Sequence, residues 1–338
     1  MDIINNYEEE PKKKNLVYLA KPIYGGWVTF TAHLSKKYEY PIFKITKRTE
    51  GKKRKYGYDC EYQNMNIVDI LKLDNLLITA VDKHYWEYLK FFPKDTEIVI
   101  HDPTECKPAK EINPLIQSKD GIDPLLSLFQ VRTIRESVQE YLIKTFDFNS
   151  EFRFHPFHEY QRSDDGELGL GYENVSISRI DFDKNTDIIL NANQLIKDET
   201  KRIYCFGAEN RIYVHHKLKD LGIDQYWKGK FPKDFEPKYE GQSILKNAKY
   251  MIDMSIIKKD GGGTQYTFLE AIYQDCVLVL HNDWISKGGL FVSGVNCIGI
   301  SNENELADFI TKGLPETKRK DIVINSKKIL EDHFKIQW

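Results

Sequence analysis

Long apolar runs, paired cysteines and an excess of charge are all missing from this sequence. None of its apolar stretches reaches the roughly 18 residues that a membrane-spanning helix requires. The 49 lysines and arginines nearly balance the 51 aspartates and glutamates, so the net charge of −2 gives no basis for nucleic-acid or membrane binding through overall charge. The first 14 residues are acidic and then basic, without the apolar segment of a secretory signal. We therefore expect a cytoplasmic protein with no membrane partner, acting in a cell's own cytoplasm or in that of an infected host.

Cysteine is scarce, with five residues in the chain and neither a CxxC pair nor a Cys/His cluster at zinc-ligand spacing. A disulfide framework and a structural zinc site are therefore not indicated. One acidic pattern, Asp181-Phe182-Asp183, is of the Asp-x-Asp type that can hold a divalent metal. These acids lie between Arg179 and Lys184, where they would equally well tune the two cations or face solvent. We expect no metal and no cofactor.

The length of 338 residues exceeds the about 250–300 residues at which single hydrophobic cores stop growing. With 41% hydrophobic and 30% charged residues, the chain has the composition of a folded globular protein. We expect two domains, residues 1–160 and 161–320. Residues 321–338 are predicted to form a C-terminal helix that packs back on the first domain. The oligomeric state is not indicated.

Apolar runs alternate with segments of helical spacing along both halves of the chain. Strands joined by helices require crossover connections, which predicts parallel sheets. The fold class is therefore α/β, with two Rossmann-like doubly wound domains facing across a cleft. The predicted strands are 15–20, 40–46, 75–80, 97–100, 172–180, 202–206, 250–257 and 276–280, and the predicted helices are 27–37, 82–92, 186–196, 210–221, 243–248, 264–273, 304–311 and 320–338.

Two pairs of residues follow predicted strands in the first half. Gly25-Gly26 stands between a strand and a helix, where bare backbone lets a ligand approach and the helix N-terminus can attract an anion. A tight turn explains the two glycines as well. His101-Asp102 follows the apolar strand 97–100 directly, so both side chains should emerge at its carboxyl end, where α/β domains bind ligands.

Two features of the second half are suited to an anionic ligand. Arg179 and Lys184 lie at a strand-to-helix junction and could bind a diphosphate, although a solvated surface pair has the same spacing. Asp260 is followed by Gly261, Gly262 and Gly263 at the start of a helix, where free amides and the helix dipole favour phosphate oxygens. Glu270, further along that helix, is placed to accept hydrogen bonds from a ribose. The alternative is a flexible surface loop before an ordinary helix.

The order of these elements resembles the nucleotide-sugar domain of retaining GT-B glycosyltransferases of the family 4 type, over most of residues 175–282. The resemblance rests on strand ends at 204–207 and 227–230, the helix 244–248, the glycine loop, Phe268-Leu269-Glu270-Ala271 and Val277-Leu278-Val279. Segments 24–29, His101-Asp102 and 266–270 are similar to the phage DNA α-glucosyltransferases in particular. The resemblance implies metal-independent transfer of a hexose, with a UDP-sugar as donor. The implied donor-binding residues are Gly25, Gly26, Arg179, Lys184, Gly207, Asp260, Gly261, Gly262, Gly263, Thr264, Tyr266, Thr267 and Glu270.

The resemblance also assigns chemistry. Arg179 and Lys184 would bind the donor diphosphate, Glu270 the ribose, and His101 with Asp102 the transferred sugar and the acceptor hydroxyl. One position departs from the family, whose members usually carry a second glutamate eight residues before the ribose glutamate. That position is Gly262 here, and Asp260 or the loop amides would have to replace its contact with the sugar.

Basic and aromatic residues are concentrated in a predicted loop after the second strand, called the basic stretch below, and suggest an acceptor. Cations for phosphates next to aromatic rings for unstacked bases are typical of nucleic-acid binding, although such runs are more often solvated faces. We expect transfer, most simply of glucose, to a 5-hydroxymethylpyrimidine in double-stranded DNA, which requires the base to be flipped out. The alternatives are a glycan, protein or lipid acceptor, or a non-catalytic sugar-nucleotide or DNA-binding module. The expected DNA-binding residues are Lys47, Arg48, Lys52, Lys53, Arg54, Lys55 and Tyr56.

Overall fold

The computed structural model describes residues 13–22, 25–46, 53–56, 60–102, 105, 126–159, 171–229, 242–256 and 262–338. The described residues form two sheets, one in each half of the chain. The described residues up to 159 are called the first half below, and those from 171 onward the second half.

The first half contains an eight-stranded sheet. Its strand order is β3-β4-β2-β1-β5-β6-β7-β8. Strands β3 and β4 are antiparallel and the other neighbours are parallel, so the polar residues that follow β1, β5, β6 and β7 meet at one edge. The strands are β1 Asn15–Leu19, β2 Ile42–Ile45, β3 Lys53–Tyr56, β4 Cys60–Met65, β5 Leu76–Val81, β6 Glu97–Ile100, β7 Gln130–Thr133 and β8 Glu151–Phe152.

The second half contains a five-stranded sheet in the order β10-β9-β11-β12-β13. Every neighbouring pair in it is parallel, which places β11 at the centre and brings the ends of β9 and β11 side by side. The strands are β9 Asn174–Ile177, β10 Tyr204–Phe206, β11 Tyr250–Asp253, β12 Val277–His281 and β13 Ile298–Ile300.

Helices connect the strands and cover both sheets. None of the helices in the described part of the chain is both long and apolar enough to cross a bilayer. The α-helices are α1 Gly26–Tyr38, α2 Ile67–Ile70, α3 Glu136–Phe146, α4 Thr186–Leu195, α5 Arg211–Tyr213, α6 Ile223–Tyr226, α7 Gln242–Leu245, α8 Tyr266–Tyr273, α9 Asn282–Ile285, α10 Glu303–Lys312 and α11 Glu316–Lys335. A π-helix spans Val214–Leu218, and 3-10 helices span Trp86–Phe91, Leu126–Leu128, Glu199–Lys201 and Lys219–Leu221.

The α/β class and the parallel sheets are confirmed, but three details of the prediction are wrong. Residues 82–92 form no α-helix, because a turn precedes the short 3-10 helix Trp86–Phe91. The basic stretch is not a loop throughout, since residues 53–56 pair with β4 as an edge strand. Strands β4, β7, β8 and β13 and helices α2, α3, α6 and α9 are not predicted from the sequence; β4 (CEYQNM) is too polar to stand out from a loop.

The two halves pack against each other through α1 and α8. His33 of α1 stacks on Tyr266 of α8, with ring centroids 4.7 Å apart and planes at 11°. One hydrophobic cluster contains Phe30 and Phe268 together with Leu330 of α11. The end of the chain returns to the first half, where the Trp338 indole N–H donates to the carbonyl of Phe154 at 3.0 Å. The predicted domain boundary after residue 160 lies outside the described residues.

Candidate functional site

The turn between β9 and α4 holds Arg179 and Lys184, at the carboxyl edge of the second sheet. The Arg179 guanidinium donates to the carboxylates of Asp181 at 2.9 Å and Asp183 at 3.0 Å, while its side chain remains 60% exposed. The two acids of the Asp-x-Asp pattern therefore neutralise Arg179 in the structure. A diphosphate that binds this arginine must compete with both carboxylates.

Lys184 is buried, unlike Arg179. Its ammonium donates to the hydroxyl of Ser255 at 2.9 Å and to the side-chain carbonyl of Gln265 at 3.3 Å, and it lies 3.9 Å from a carboxylate oxygen of Asp253. Gln265 is the residue before α8. The structure therefore brings Lys184 together with the start of the helix that follows the glycine segment, and the alternative of a solvated lysine is wrong.

The described part of the glycine segment is shaped by packing. Gly262 has a left-handed φ of 77°, and a Cβ there would meet the Cβ of Lys287 at 3.1 Å and the carbonyl of Trp284 at 3.3 Å. The Gly263 carbonyl accepts from the Trp284 indole at 3.2 Å, and among the described residues no atom lies within 4 Å of a Cβ added to Gly263. Asp260 and Gly261 lie outside the described residues.

Position 207, just after β10, requires a glycine because two backbone segments approach each other closely there. An added Cβ would lie 1.7 Å from the carbonyl oxygen of Ser178. Its amide donates to the Gly229 carbonyl at 3.0 Å, and its own carbonyl accepts from the Trp227 indole at the same distance. These contacts account for the glycine without a ligand.

Glu270 is 1% exposed and faces the first half of the molecule. Its Oε1 lies 4.0 Å from Nε2 of His33, and burial raises the pKa of the Glu270 carboxyl well above its ordinary value. The His158 amide donates to Nδ1 of His33 at 2.9 Å, so Nε2 carries the ring proton of the neutral histidine. The expected ribose contact of Glu270 stays a prediction.

Two other residues expected in the donor site also contact the segment after β8. The Tyr266 hydroxyl donates to the Pro156 carbonyl at 3.0 Å, and the Thr264 hydroxyl lies 3.4 Å from Nδ1 of His155. Thr267, one residue into α8, is half-buried. The start of α8 is therefore the place where the second half meets the first.

At the carboxyl edge of the first sheet, Gly25 has a left-handed φ of 92° and precedes α1. None of the described residues comes within 4 Å of a Cβ built on Gly25 or Gly26, so the backbone there has room for a ligand. The next residue, Trp27, donates its indole N–H to Glu105 at 3.1 Å, and the backbone amide of His101 donates to the other oxygen of that carboxyl at 3.3 Å. Glu105 thus ties the glycine turn to the end of β6.

The His101 ring is buried against α1. Its Nε2 donates to the Thr79 carbonyl at 2.7 Å, and its ring contacts Phe30 edge-on at 4.9 Å. Burial lowers the pKa of His101 to about 4, so the ring is neutral at physiological pH with its proton on Nε2. Nδ1 then carries the lone pair. Asp102 follows, half-buried.

Sequence reasoning missed five residues that the structure brings to these edges: Glu105, His155, Asp253, Ser255 and Gln265. His155 is 3% exposed, and besides Thr264 it contacts the Tyr266 ring edge-on at 5.1 Å. Burial lowers its pKa well below the ordinary value, and nearby His333, Arg135 and His101 lower it further. His155 therefore lies between the two edges. No motif marks it, because its partners come from distant parts of the chain.

The expected DNA-binding residues that the structure describes, residues 53–56, lie far from His101 along the sheet. β3 is separated from β6 by five strand spacings, about 24 Å. Lys53 is exposed and pairs with Glu61 at 3.1 Å; in the backbone register Arg54, Lys55 and Tyr56 stand opposite Tyr62, Glu61 and Cys60. Lys47, Arg48 and Lys52 lie outside the described residues. Within the described residues, no group of three or more His, Cys, Asp or Glu side chains is arranged to hold a metal ion.

No protein-family model and no curated protein sequence matches this chain. Several solved structures do. The Anabaena protein HepE in complex with UDP and glucose superposes with a TM-score of 0.64 at 13% identity, over 95% of each chain. A glycosyltransferase from Rickettsia africae gives 0.58 at 12% identity, over 96% of this chain and 95% of that one. WaaG, a glycosyltransferase involved in lipopolysaccharide biosynthesis, gives 0.56 at 11% identity, over 94% and 95%. The predicted GT-B fold is thereby confirmed.

Proposed function

We propose that this protein is a glycosyltransferase that uses a UDP-sugar as donor. The observation that carries the proposal is made at the carboxyl edge of the second sheet, called the second edge below, the first edge being that of the first sheet. There, Arg179 and the buried Lys184 lie on one turn beside the start of α8. HepE, which shares the fold, has been crystallised with UDP and with UDP-glucose. The site and the fold together support a nucleotide-sugar ligand at this edge.

The chemistry required at the donor is stabilisation of the leaving diphosphate as the bond to the sugar breaks. Fixed cations can supply it, since preorganised charge usually contributes more to catalysis than any other single effect. Lys184 is held by buried partners and needs little rearrangement. To bind phosphate oxygens, the Arg179 guanidinium has to leave the carboxylates of Asp181 and Asp183. Donor binding would therefore be coupled to the loss of these two ion pairs. In this proposal no metal takes part.

At the first edge, His101 and Asp102 would face the transferred sugar and the acceptor hydroxyl. His101 is neutral because burial lowers its pKa, so it acts as a hydrogen-bonding group and not as a cation. Asp102 or a donor phosphate oxygen receives the acceptor proton. We propose that the reaction retains the configuration at the anomeric carbon, so the acceptor attacks the face of the sugar from which the diphosphate departs.

For the acceptor, we propose a 5-hydroxymethylpyrimidine in double-stranded DNA, with glucose as the sugar. The support is the basic stretch of the first half and the likeness of the glycine turn and of His101-Asp102 to phage DNA α-glucosyltransferases. A glycan or lipid acceptor is the second candidate, favoured by the description of WaaG as a lipopolysaccharide enzyme. The distance of β3 from β6 favours that second candidate too.

A transfer assay distinguishes these acceptors. The purified protein is given radiolabelled UDP-glucose, UDP-galactose or UDP-N-acetylglucosamine with hydroxymethylated duplex DNA, unmodified duplex DNA, simple saccharides or lipid-linked glycans. Label on hydroxymethylated DNA alone supports the DNA acceptor, whereas label on a saccharide or lipid refutes it and keeps the donor proposal. If there is neither transfer nor donor hydrolysis with any pair, and UDP does not bind, the glycosyltransferase proposal is wrong and a non-catalytic DNA-binding module remains.

A further inference from the structure

The central strand of the second sheet, β11, ends in an acidic residue at a buried position where an apolar residue would be expected. Asp253 is the last residue of β11, an otherwise apolar strand with neighbours on both sides, and it is 2% exposed. Burying a carboxylate costs several kcal/mol unless it is paired or hydrogen-bonded. Its partners therefore show what this acid does.

Those partners form a short relay to Lys184. One carboxylate oxygen of Asp253 accepts the backbone amide of Ser255 at 2.8 Å and also the Ser255 hydroxyl proton. Since that proton is committed to Asp253, the hydroxyl oxygen is left to accept from the Lys184 ammonium at 2.9 Å. The other oxygen of Asp253 lies 3.9 Å from the same ammonium and has no hydrogen bond from the described residues.

Gln265, the third neighbour of the Lys184 ammonium, is less deeply buried than Ser255 and Asp253. Ser255 is fully buried and Asp253 nearly so, whereas Gln265 is only partly buried and its contact with Lys184 is longer, at 3.3 Å. An ammonium has three protons to donate. The interior partners can hold it from behind while the rim contact to Gln265 is exchanged for a phosphate oxygen.

From this arrangement, the structure assigns Asp253 as the positioning residue of Lys184: acting through the Ser255 hydroxyl, its carboxylate holds the ammonium where a diphosphate meets it. The assignment rests on the proposed function, because it takes the diphosphate of a UDP-sugar as the ligand of Lys184. Without Asp253, the buried ammonium of Lys184 loses its counter-charge and is no longer held in the position where a diphosphate meets it.

A double-mutant cycle tests this assignment, with UDP as the probe and its Kd measured by titration calorimetry. The four proteins are the wild type, Asp253→Asn, Lys184→Ala and the double variant. We expect Asp253→Asn to weaken UDP binding about 10-fold in the wild-type background and less than about 2-fold in the Lys184→Ala background, because interacting residues are not additive. Asp187→Asn is the matched control. Asp187 is an aspartate of α4 whose carboxylate accepts from the Tyr213 hydroxyl, and its substitution should leave the Kd unchanged.

Each outcome decides one point. An equal loss in both backgrounds, or no loss at all, overturns the positioning role of Asp253. If Asp253→Asn does not fold, as judged by its melting temperature, Ser255→Ala replaces it in the cycle, with an expected loss of about 3-fold that again disappears in the Lys184→Ala background. If the wild type does not bind UDP, the proposed function fails and takes this assignment with it. If the wild type binds and Lys184→Ala weakens binding, only the role of Asp253 is at stake.

Discussion

The two carboxyl edges of this molecule handle charge in opposite ways. At the second edge, groups of opposite charge form ion pairs, as Arg179 does with Asp181 and Asp183. At the first edge, ionisable groups are desolvated into their neutral forms: burial lowers the pKa of His101 to about 4 and raises that of Glu105 to about 8. The second edge is therefore suited to an anion, and the first to a hydroxyl group that must be oriented by hydrogen bonds.

The difference between His101 and Arg179 follows from how deeply each side chain lies. β6 lies inside the eight-stranded sheet, and α1 covers its end with Trp27 and Phe30. Arg179 lies on a turn whose own acids reach it and whose side chains remain partly in solvent. The same sequence feature, a polar residue just after an apolar strand, thus gives two electrostatic results.

Arg179→Ala should produce the largest effect, because it removes one of the two cations expected at the diphosphate. We expect kcat/KM for transfer to fall by a factor of about 100 to 1,000, the range found when one electrostatic stabiliser is removed. The melting temperature should hardly change, since the arginine is mostly exposed. Arg202→Ala is the control, as this arginine pairs with Glu199 just before β10 at the opposite edge of the same sheet. A fully active Arg179→Ala protein would refute the diphosphate assignment.

His101→Ala tests the first edge, with a smaller expected effect. We expect turnover to fall roughly 100-fold, the lower end for a missing proton-transfer or orienting group, while the Kd for UDP stays within about twofold. His101→Gln can still donate to the Thr79 carbonyl and should recover part of the activity. Because the pKa of His101 is about 4, the pH–rate profile of the wild type should show no step from this residue between about pH 5.5 and 8. Equal losses in UDP affinity and turnover would place His101 at the donor instead.

The difference between the edges also explains what could be predicted from the sequence. Apolar runs ending in glycines, His101 or Arg179 predicted the parallel sheets, because strand burial and chain breaks are local features. The burial of Lys184 could not be predicted, since its partners Ser255 and Gln265 are 71 and 81 residues away. Glu105, His155 and Asp253 are likewise defined by contacts between segments. The basic stretch was misjudged because an edge strand, with one side in solvent, tolerates the charges of a loop.

Glu270→Gln is expected to change stability and affinity in opposite directions. Burial raises the pKa of Glu270, so the folded protein keeps this carboxyl protonated, whereas the unfolded chain ionises it above about pH 4.5. The wild type therefore loses stability as the pH rises through and above that value. Glutamine removes this penalty, and the gap in unfolding free energy should widen by up to about 1.4 kcal/mol per pH unit. At the same time UDP binding should weaken roughly 2- to 10-fold if the carboxyl group binds the ribose, which corresponds to a neutral hydrogen bond of about 0.5–1.5 kcal/mol.

Chemical denaturation at about pH 4, 6 and 8 checks the first part, and titration with UDP checks the second. A stability gap that does not depend on pH would mean that Glu270 is ionised in the folded protein, in a pair with His33. An unchanged Kd for UDP would refute the ribose contact and leave the pH effect intact.

The smallest effect is expected at the basic stretch, whose described residues 53–56 lie five strand spacings from β6. Alanine at Lys52, Lys53, Arg54 and Lys55 should weaken binding to duplex DNA. The negative slope of log K against log salt should become flatter, by about 0.9 for each phosphate that the protein no longer neutralises. Alanine at Lys318, Lys320, Lys327 and Lys328, four lysines of α11, removes the same charge from the second half. Equal losses in both variants would mean that overall charge, and not this stretch, attracts DNA.

The length of the DNA sharpens that test. A duplex that touches β3 while a flipped base reaches His101 must span about 24 Å, which is about seven base pairs at about 3.4 Å per pair. Residues 53–56 of β3 can therefore matter only for substrates longer than that. We expect the alanine substitutions to reduce transfer to a hydroxymethylated duplex of about 20 base pairs and to have no effect on a DNA hairpin with a stem of about four base pairs. A loss that is the same for both lengths would show that these residues act on folding or on the donor, because a short duplex cannot reach them.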